Sequence, residues 1–174
     1  MGHSYGIKCS ACDYRISVTE GVGMAYSPHA VFYGRCDDPS QNWSIAFPDG
    51  FCEAGKPLLQ EYVDSETIKE EAFALLASGA KPSDDYGHEM YLCPKCMRME
   101  NNFYFKLISP AEEYEPEYKC PNCMESLQRV KFKRKKHERI KVVYKDKRKA
   151  DWKCPECGNG RLVVDENQYI TLWD

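Results

Sequence analysis

The 174-residue chain has few long apolar runs and few histidines. Its longest unbroken apolar stretch is Ala72 to Ala77, whereas a membrane-spanning helix needs about 20 such residues. An integral helical membrane protein is therefore not expected. The opening residues, Met1 to Lys8, carry no apolar core of an export signal, so the expected compartment is the cytoplasm. No G-x-S-x-G elbow and no Walker loop occur. Gly21-Val22-Gly23 lacks the third glycine and the following helix of a dinucleotide fingerprint. His88-Glu89 and His137-Glu138 each begin an H-E-x-x-H motif, but Leu92 and Lys141 stand where the second histidine would be. The four histidines are scattered, and no catalytic constellation is evident, so a non-enzymatic role is expected.

What the chain has in abundance is cysteine. Ten cysteines are many for a protein without an export signal, and eight form C-x-x-C pairs: Cys9/Cys12, Cys93/Cys96, Cys120/Cys123 and Cys154/Cys157. Two intervening residues let one tight turn aim both thiolates at a single ion, and four thiolates close a tetrahedral site with no open position. Eight ligands imply two structural Zn2+ ions per chain, although a tetrahedral sulfur site also accepts Fe. Disulfides would need an oxidising compartment. A thioredoxin-like site uses one such motif rather than four.

Each pair is flanked by strand-like sequence, as in Tyr14-Arg-Ile-Ser-Val, Phe103-Tyr-Phe-Lys-Leu-Ile, Leu127-Gln-Arg-Val-Lys-Phe and Arg161-Leu-Val-Val. In this strand–knuckle–strand pattern, residues 5–17 and 89–173 resemble the zinc ribbon (rubredoxin-like) class. The resemblance implies a scaffold that hosts many functions. The residue after the second cysteine favours a positive φ, yet only Gly158 is glycine; Asp13, Met97 and Met124 predict adjusted turns.

The gaps between pairs are 80, 23 and 30 residues. Uncrossed connections between neighbouring hairpins favour a sequential arrangement, with Cys9, Cys12, Cys93 and Cys96 in one site and Cys120, Cys123, Cys154 and Cys157 in the other. The short second gap keeps a nested arrangement open. Cys36 and Cys52 lie in aromatic-rich sequence and read as small buried thiols.

The expected fold is small, metal-bound and mainly β (α+β), with two four-cysteine ribbon units. Residues 1–17 and 89–117 make the first unit, and residues 118–174 the second. Residues 18–88 form an inserted lobe. Its first part, Gly21 to Lys56, is rich in Gly, Pro and aromatics and reads as irregular but packed. Its second part contains one helix, capped by Asp64-Ser65, with a core stripe of Ile68, Ala72, Phe73, Leu75 and Leu76, ended by Gly79 and Pro82.

The net charge of −3 conceals a divided chain. Residues 129–153 hold 13 Lys/Arg and 3 Asp/Glu, a local +10, leaving 11 basic and 24 acidic residues elsewhere. Val130 and Phe132 alternate with Lys131 and Lys133, and Ile140, Val142 and Tyr144 alternate with Lys141 and Val143. This predicts a two-stranded basic hairpin turning near residues 135–138. Lys131, Lys133, Arg134, Lys135, Lys136, Arg139 and Lys141 would face a phosphate backbone, with Tyr144 or Trp152 stacking on bases. An acidic protein partner, or neutralisation of the acids at Glu112, Glu113, Glu115 and Glu117, fits the same charge pattern. The expected function is thus a non-catalytic scaffold for macromolecular interaction. The alternatives are an iron electron carrier, or an enzyme with its site in residues 18–88.

Overall fold

The computed structural model describes residues 2–23, 27–34, 56–133 and 140–165, together with the backbone of 171–173. Cys36, Cys52 and most of the expected aromatic segment lie outside the described residues, as do Arg134, Lys135, Lys136 and Arg139.

The first sheet is organised around β1 (Gly2–Cys9), which pairs antiparallel with β2 (Arg15–Glu20) from His3↔Glu20 to Lys8↔Arg15. The other edge of β1 is taken by the far end of the chain. β11 (Leu162–Val164) pairs through Ile7↔Val164 and Cys9↔Leu162, and β12 (Thr171–Trp173) through Gly2↔Trp173 and Ser4↔Thr171. Tyr5 and Ile7 are buried on this central strand.

The second sheet has β4 (Gly87–Leu92) and β5 (Met99–Tyr104) as a hairpin around the second knuckle. It continues through β8 (Gln128–Lys133), β9 (Lys141–Tyr144) and β10 (Lys149–Asp151), in the order β10-β9-β8-β4-β5. β8 and β9 pair antiparallel, with Phe132↔Val142 and Lys133↔Lys141 in register, while the expected turn near residues 135–138 lies outside the described residues. The pair is not a free two-stranded ribbon, because β8 docks on β4 and β10 adds a third strand. A small third sheet joins β3 (Lys81–Pro82), β6 (Leu107–Ile108) and β7 (Glu113–Tyr114).

Helix α3 (Glu66–Ala77) begins where the sequence indicates: Ser65 Oγ accepts from the Ile68 amide at 3.4 Å. Ile68 and Ala72 are buried, while Phe73, Leu75 and Leu76 pack half-buried beside them. The segment read as irregular holds a helix of its own, α1 (Pro28–Tyr33). Ser27 Oγ accepts from the Ala30 amide at 3.2 Å, Pro28 occupies the first turn, and Gly34 closes the helix left-handed. A single turn, α2 (Leu59–Tyr62), follows.

Two apolar cores result. One buries Val31, Phe32, Leu59, Ile68 and Ala72 against Phe103, Phe105 and Tyr118, and includes Cys93 and Cys120. The other joins Tyr5, Ile7 and Val18 of the first sheet to Met90, Leu92, Val130 and Val142 of the second, and includes Cys9 and Cys154. The insertion therefore shares its core with the second and third knuckles rather than folding over itself. The expected boundary between residues 88 and 89 falls inside β4.

Candidate metal centres

All four knuckles turn two thiols toward a common point, but not in the sequential grouping. Cys9 and Cys12 converge with Cys154 and Cys157, and Cys93 and Cys96 converge with Cys120 and Cys123. The sequential sets Cys9/Cys12/Cys93/Cys96 and Cys120/Cys123/Cys154/Cys157 are thus corrected to the nested arrangement. The cause is strand pairing: β11 adds to β1 and carries the fourth knuckle to the first, while β8 adds to β4 and carries the third to the second.

Across the first site the sulfurs lie 3.7 Å apart for Cys9–Cys157 and 3.6 Å for Cys12–Cys154. Across the second they lie 3.5 Å apart for Cys93–Cys123 and 3.6 Å for Cys96–Cys120. A tetrahedron with metal–sulfur bonds of about 2.3 Å has sulfur–sulfur edges of about 3.8 Å, whereas a disulfide needs about 2.05 Å. Both tetrads fit a metal ion and neither is disulfide-bonded. In every knuckle the first cysteine is buried and the second is half-buried, so each site is anchored in a core and closed at the surface.

The knuckle turns supply amides to the sulfurs. Ala11 donates to Cys9 Sγ at 3.4 Å, Cys96 to Cys93 Sγ at 3.4 Å, and Gly160 to Cys157 Sγ at 3.2 Å. Such bonds favour thiolate. The Asn159 and Gly160 amides pull Cys157 down to about 6. Cys96 falls to about 7 because the Arg98 amide and adjacent sulfurs outweigh its burial. Cys93 is pushed up to about 12 by burial. Cys12 also rises to about 12, since burial and the three other sulfurs outweigh a lowering hydrogen bond from the Tyr14 backbone. Burial also raises Cys154 and Cys120, so each tetrad contains two raised thiols and one lowered one.

Three knuckles share one geometry. The amide at the position after the second cysteine returns to the first cysteine's carbonyl: Met97 to Cys93 at 3.0 Å, Met124 to Cys120 at 2.8 Å and Gly158 to Cys154 at 2.9 Å. All three residues are left-handed, with φ of 60°, 59° and 70°. The turns at Met97 and Met124 are therefore not adjusted to suit their side chains. Only Asp13, in the first knuckle, avoids the left-handed region.

The two centres are neighbours. Trp152 Nε1 donates to the Met97 carbonyl at 3.0 Å, and Arg98 pairs with Glu156 at 3.0 Å. Trp152 is 3% exposed and stacked on Phe132, so it belongs to the core and cannot meet a base. Tyr144 is half-buried beneath Arg148. Of the expected basic residues, Lys131, Lys133 and Lys141 are described, and all three are exposed. Part of the basic segment is neutralised internally: Lys145 pairs with Glu115 at 3.1 Å, and Arg129 with Asp85 at 3.5 Å.

The sequence reading missed Gly160, which leaves room for the first site, and Tyr91 and Arg129, which line a cleft beside the basic strands. No helix among the described residues is long and apolar enough to cross a membrane. Comparison with protein-family models, with curated proteins and with solved structures gives no match to this chain.

Proposed function

We propose that the protein binds one zinc ion in each sulfur tetrad and acts, without catalysis, as a scaffold that offers the basic face of its five-stranded sheet to single-stranded nucleic acid. The metal's role follows from what it joins. One site ties residues 9–12 to residues 154–157, and the other ties 93–96 to 120–123. Closing such segments takes four thiolates and no open coordination position, which zinc fills as a purely structural ion.

The observation that carries the nucleic-acid reading is Lys133 directly opposite Lys141. Lys131 and Lys149 fall on the same face by strand alternation, since each pairs with Val143. Like charges placed directly opposite one another destabilise a sheet. Among the described residues Lys133, Lys141 and Lys149 form no ion pair. Glu89 beside Lys131 and Asp151 opposite Lys141 offset part of the charge. A phosphate backbone relieves the remaining repulsion and releases counterions as it binds.

The test has two arms. Elemental analysis of the purified protein should find two zinc ions per chain; a red protein holding iron would overturn the zinc reading in favour of an electron carrier. Fluorescence anisotropy with a labelled ten-nucleotide single-stranded RNA should show affinity falling with salt. Each lost phosphate contact lowers the log–log slope by about 0.7, so Lys133→Ala/Lys141→Ala should lower it by about 1.4. An unchanged slope overturns the assignment of that face.

A further inference from the structure

Beside the lysine face lies a cleft of about 340 Å³, within the range of about 300–1,000 Å³ usual for small-molecule sites. Its walls include Tyr91, Tyr104, Arg129, Tyr144, Lys145 and Arg148. Tyr91 on β4 pairs with Arg129 on β8, so both side chains lie on one face of the sheet, with Lys131 and Lys133 two and four residues further along. The cleft and the lysines are therefore continuous.

Two guanidinium groups are held against rings. Arg129 Cζ sits 3.6 Å from the centroid of Tyr104, and Arg148 Cζ 5.0 Å from that of Tyr144. The turn that brings Arg148 back is closed by the Tyr144 amide donating to the Arg148 carbonyl and the Lys147 amide to the Tyr144 carbonyl, both at 2.9 Å. On the floor, Tyr91 is 4% exposed, and its hydroxyl is the one buried side-chain polar atom among the described residues without a hydrogen-bond partner. The charged groups that act on this hydroxyl are Arg129, Glu89 and Glu115, of which Arg129 and Glu115 line the cleft. An orphaned buried hydroxyl costs stability, and a partner that arrives from outside would offset that cost.

The charge balance selects the kind of partner. Arg129 faces Asp85, Lys145 faces Glu115 and Arg148 faces Asp146, so the three cations of the cleft are already matched by carboxylates. A bare phosphate gains little there. A flat, uncharged group with a polar edge gains stacking on the guanidinium planes and a hydrogen bond with the unpartnered hydroxyl.

We propose that the cleft holds one unstacked nucleobase of a single strand, its edge hydrogen-bonded to the Tyr91 hydroxyl, while the neighbouring phosphates lie along Lys131, Lys133 and Lys141. The inference rests on the nucleic-acid reading above and adds a base-binding pocket to it. Guanidinium planes and tyrosine rings are suitable platforms for any base, so recognition here is of an exposed base rather than of a sequence.

The experiment uses the zinc-loaded full chain and the same labelled ten-nucleotide RNA, beside a matched strand whose central nucleotides are abasic. Tyr91→Phe keeps the ring and its edge-on packing on Tyr118 at 5.2 Å, so the fold should be unchanged or slightly more stable. It should weaken binding of the intact strand by about three- to tenfold, the value of one hydrogen bond, with no change in salt slope and little effect on the abasic strand. Tyr144→Leu, at the cleft wall, should weaken the intact strand about fivefold or more through lost stacking. If both variants bind the intact strand as wild type does while the lysine variant loses its slope, the pocket is overturned and the basic face stands. If Tyr91→Phe weakens binding while the lysine variant keeps its slope, the pocket stands and the basic face falls.

Discussion

A Cβ atom placed on Gly160 would lie 1.9 Å from Cys9 Sγ, and 3.2 Å from Cys157 Sγ. Gly160 is not left-handed, so its requirement is steric: the backbone of the fourth knuckle passes against a ligand of the first. The same residue donates its amide to Cys157. Gly160→Ala should therefore disable the site of Cys9, Cys12, Cys154 and Cys157 and spare the other. Native mass spectrometry should find one metal ion per chain in place of two. Two retained ions would mean that the knuckles can separate by more than a methyl group without losing the tetrahedron.

The nested arrangement makes a sharp prediction for paired substitutions. Cys12→Ser/Cys154→Ser removes two ligands of one site and should leave one metal ion bound. Cys12→Ser/Cys93→Ser strikes both sites and should leave none held by four thiolates. A sequential arrangement reverses the two outcomes. Metal content measured on both variants after chelator challenge separates them.

What was legible in the sequence is what local pattern controls. The C-x-x-C spacing announces the ligands, and the strand-like flanks announce β1–β2 and β4–β5 as hairpins. Ser65 and Gly79 mark the ends of α3. The arrangement of the sites was not legible, because it depends on which distant strand takes the free edge of β1. Ile7↔Val164 is a contact between the two ends of the described chain, and no periodicity near Ile7 encodes it. In α1, Ser27, Pro28 and Gly34 are ordinary helix signals, but the surrounding density of Gly and Pro outweighed them in a reading by composition. The partnerless hydroxyl of Tyr91 is invisible in sequence, since an alternating β4 segment gives no sign of whether a buried tyrosine finds an acceptor.

The left-handed knuckle positions offer a reciprocal test of backbone strain. Met124 holds φ of 59° while 71% exposed, so its side chain adds little packing to offset the conformation. A non-glycine residue there costs about 1–2 kcal/mol. Met124→Gly should stabilise the zinc-loaded protein by about 1 kcal/mol, read as a higher denaturant midpoint. Gly158→Ala should destabilise by a similar amount, because nothing stands within 4 Å of the added Cβ and the φ of 70° alone opposes it. If neither midpoint moves, metal coordination fixes the turn so firmly that local backbone preference no longer matters.

His88 should make the fold sensitive to mild acid. Its ring lies 5.2 Å from both Tyr62 and Phe103, and burial lowers its pKa below the ordinary 6.5 even though a hydrogen bond with the Asn101 side chain acts the other way. In the unfolded chain the imidazole protonates near pH 6.5, while in the folded chain it stays neutral to lower pH. The stability it contributes is therefore fully present above about pH 6.5 and is lost as pH falls through that value toward the folded one. Half-buried Glu89 works oppositely: its pKa is raised by burial, against the lowering pull of Lys131 and Arg129, so its contribution is present at low pH and lost as pH rises. Between pH 8 and 6, with metal content confirmed at each point, the unfolding free energy of the wild type should decline more steeply than that of His88→Gln. Parallel curves would mean that the imidazole is solvated in the folded protein, and that the Tyr62–Phe103 contact does not exclude its charged form.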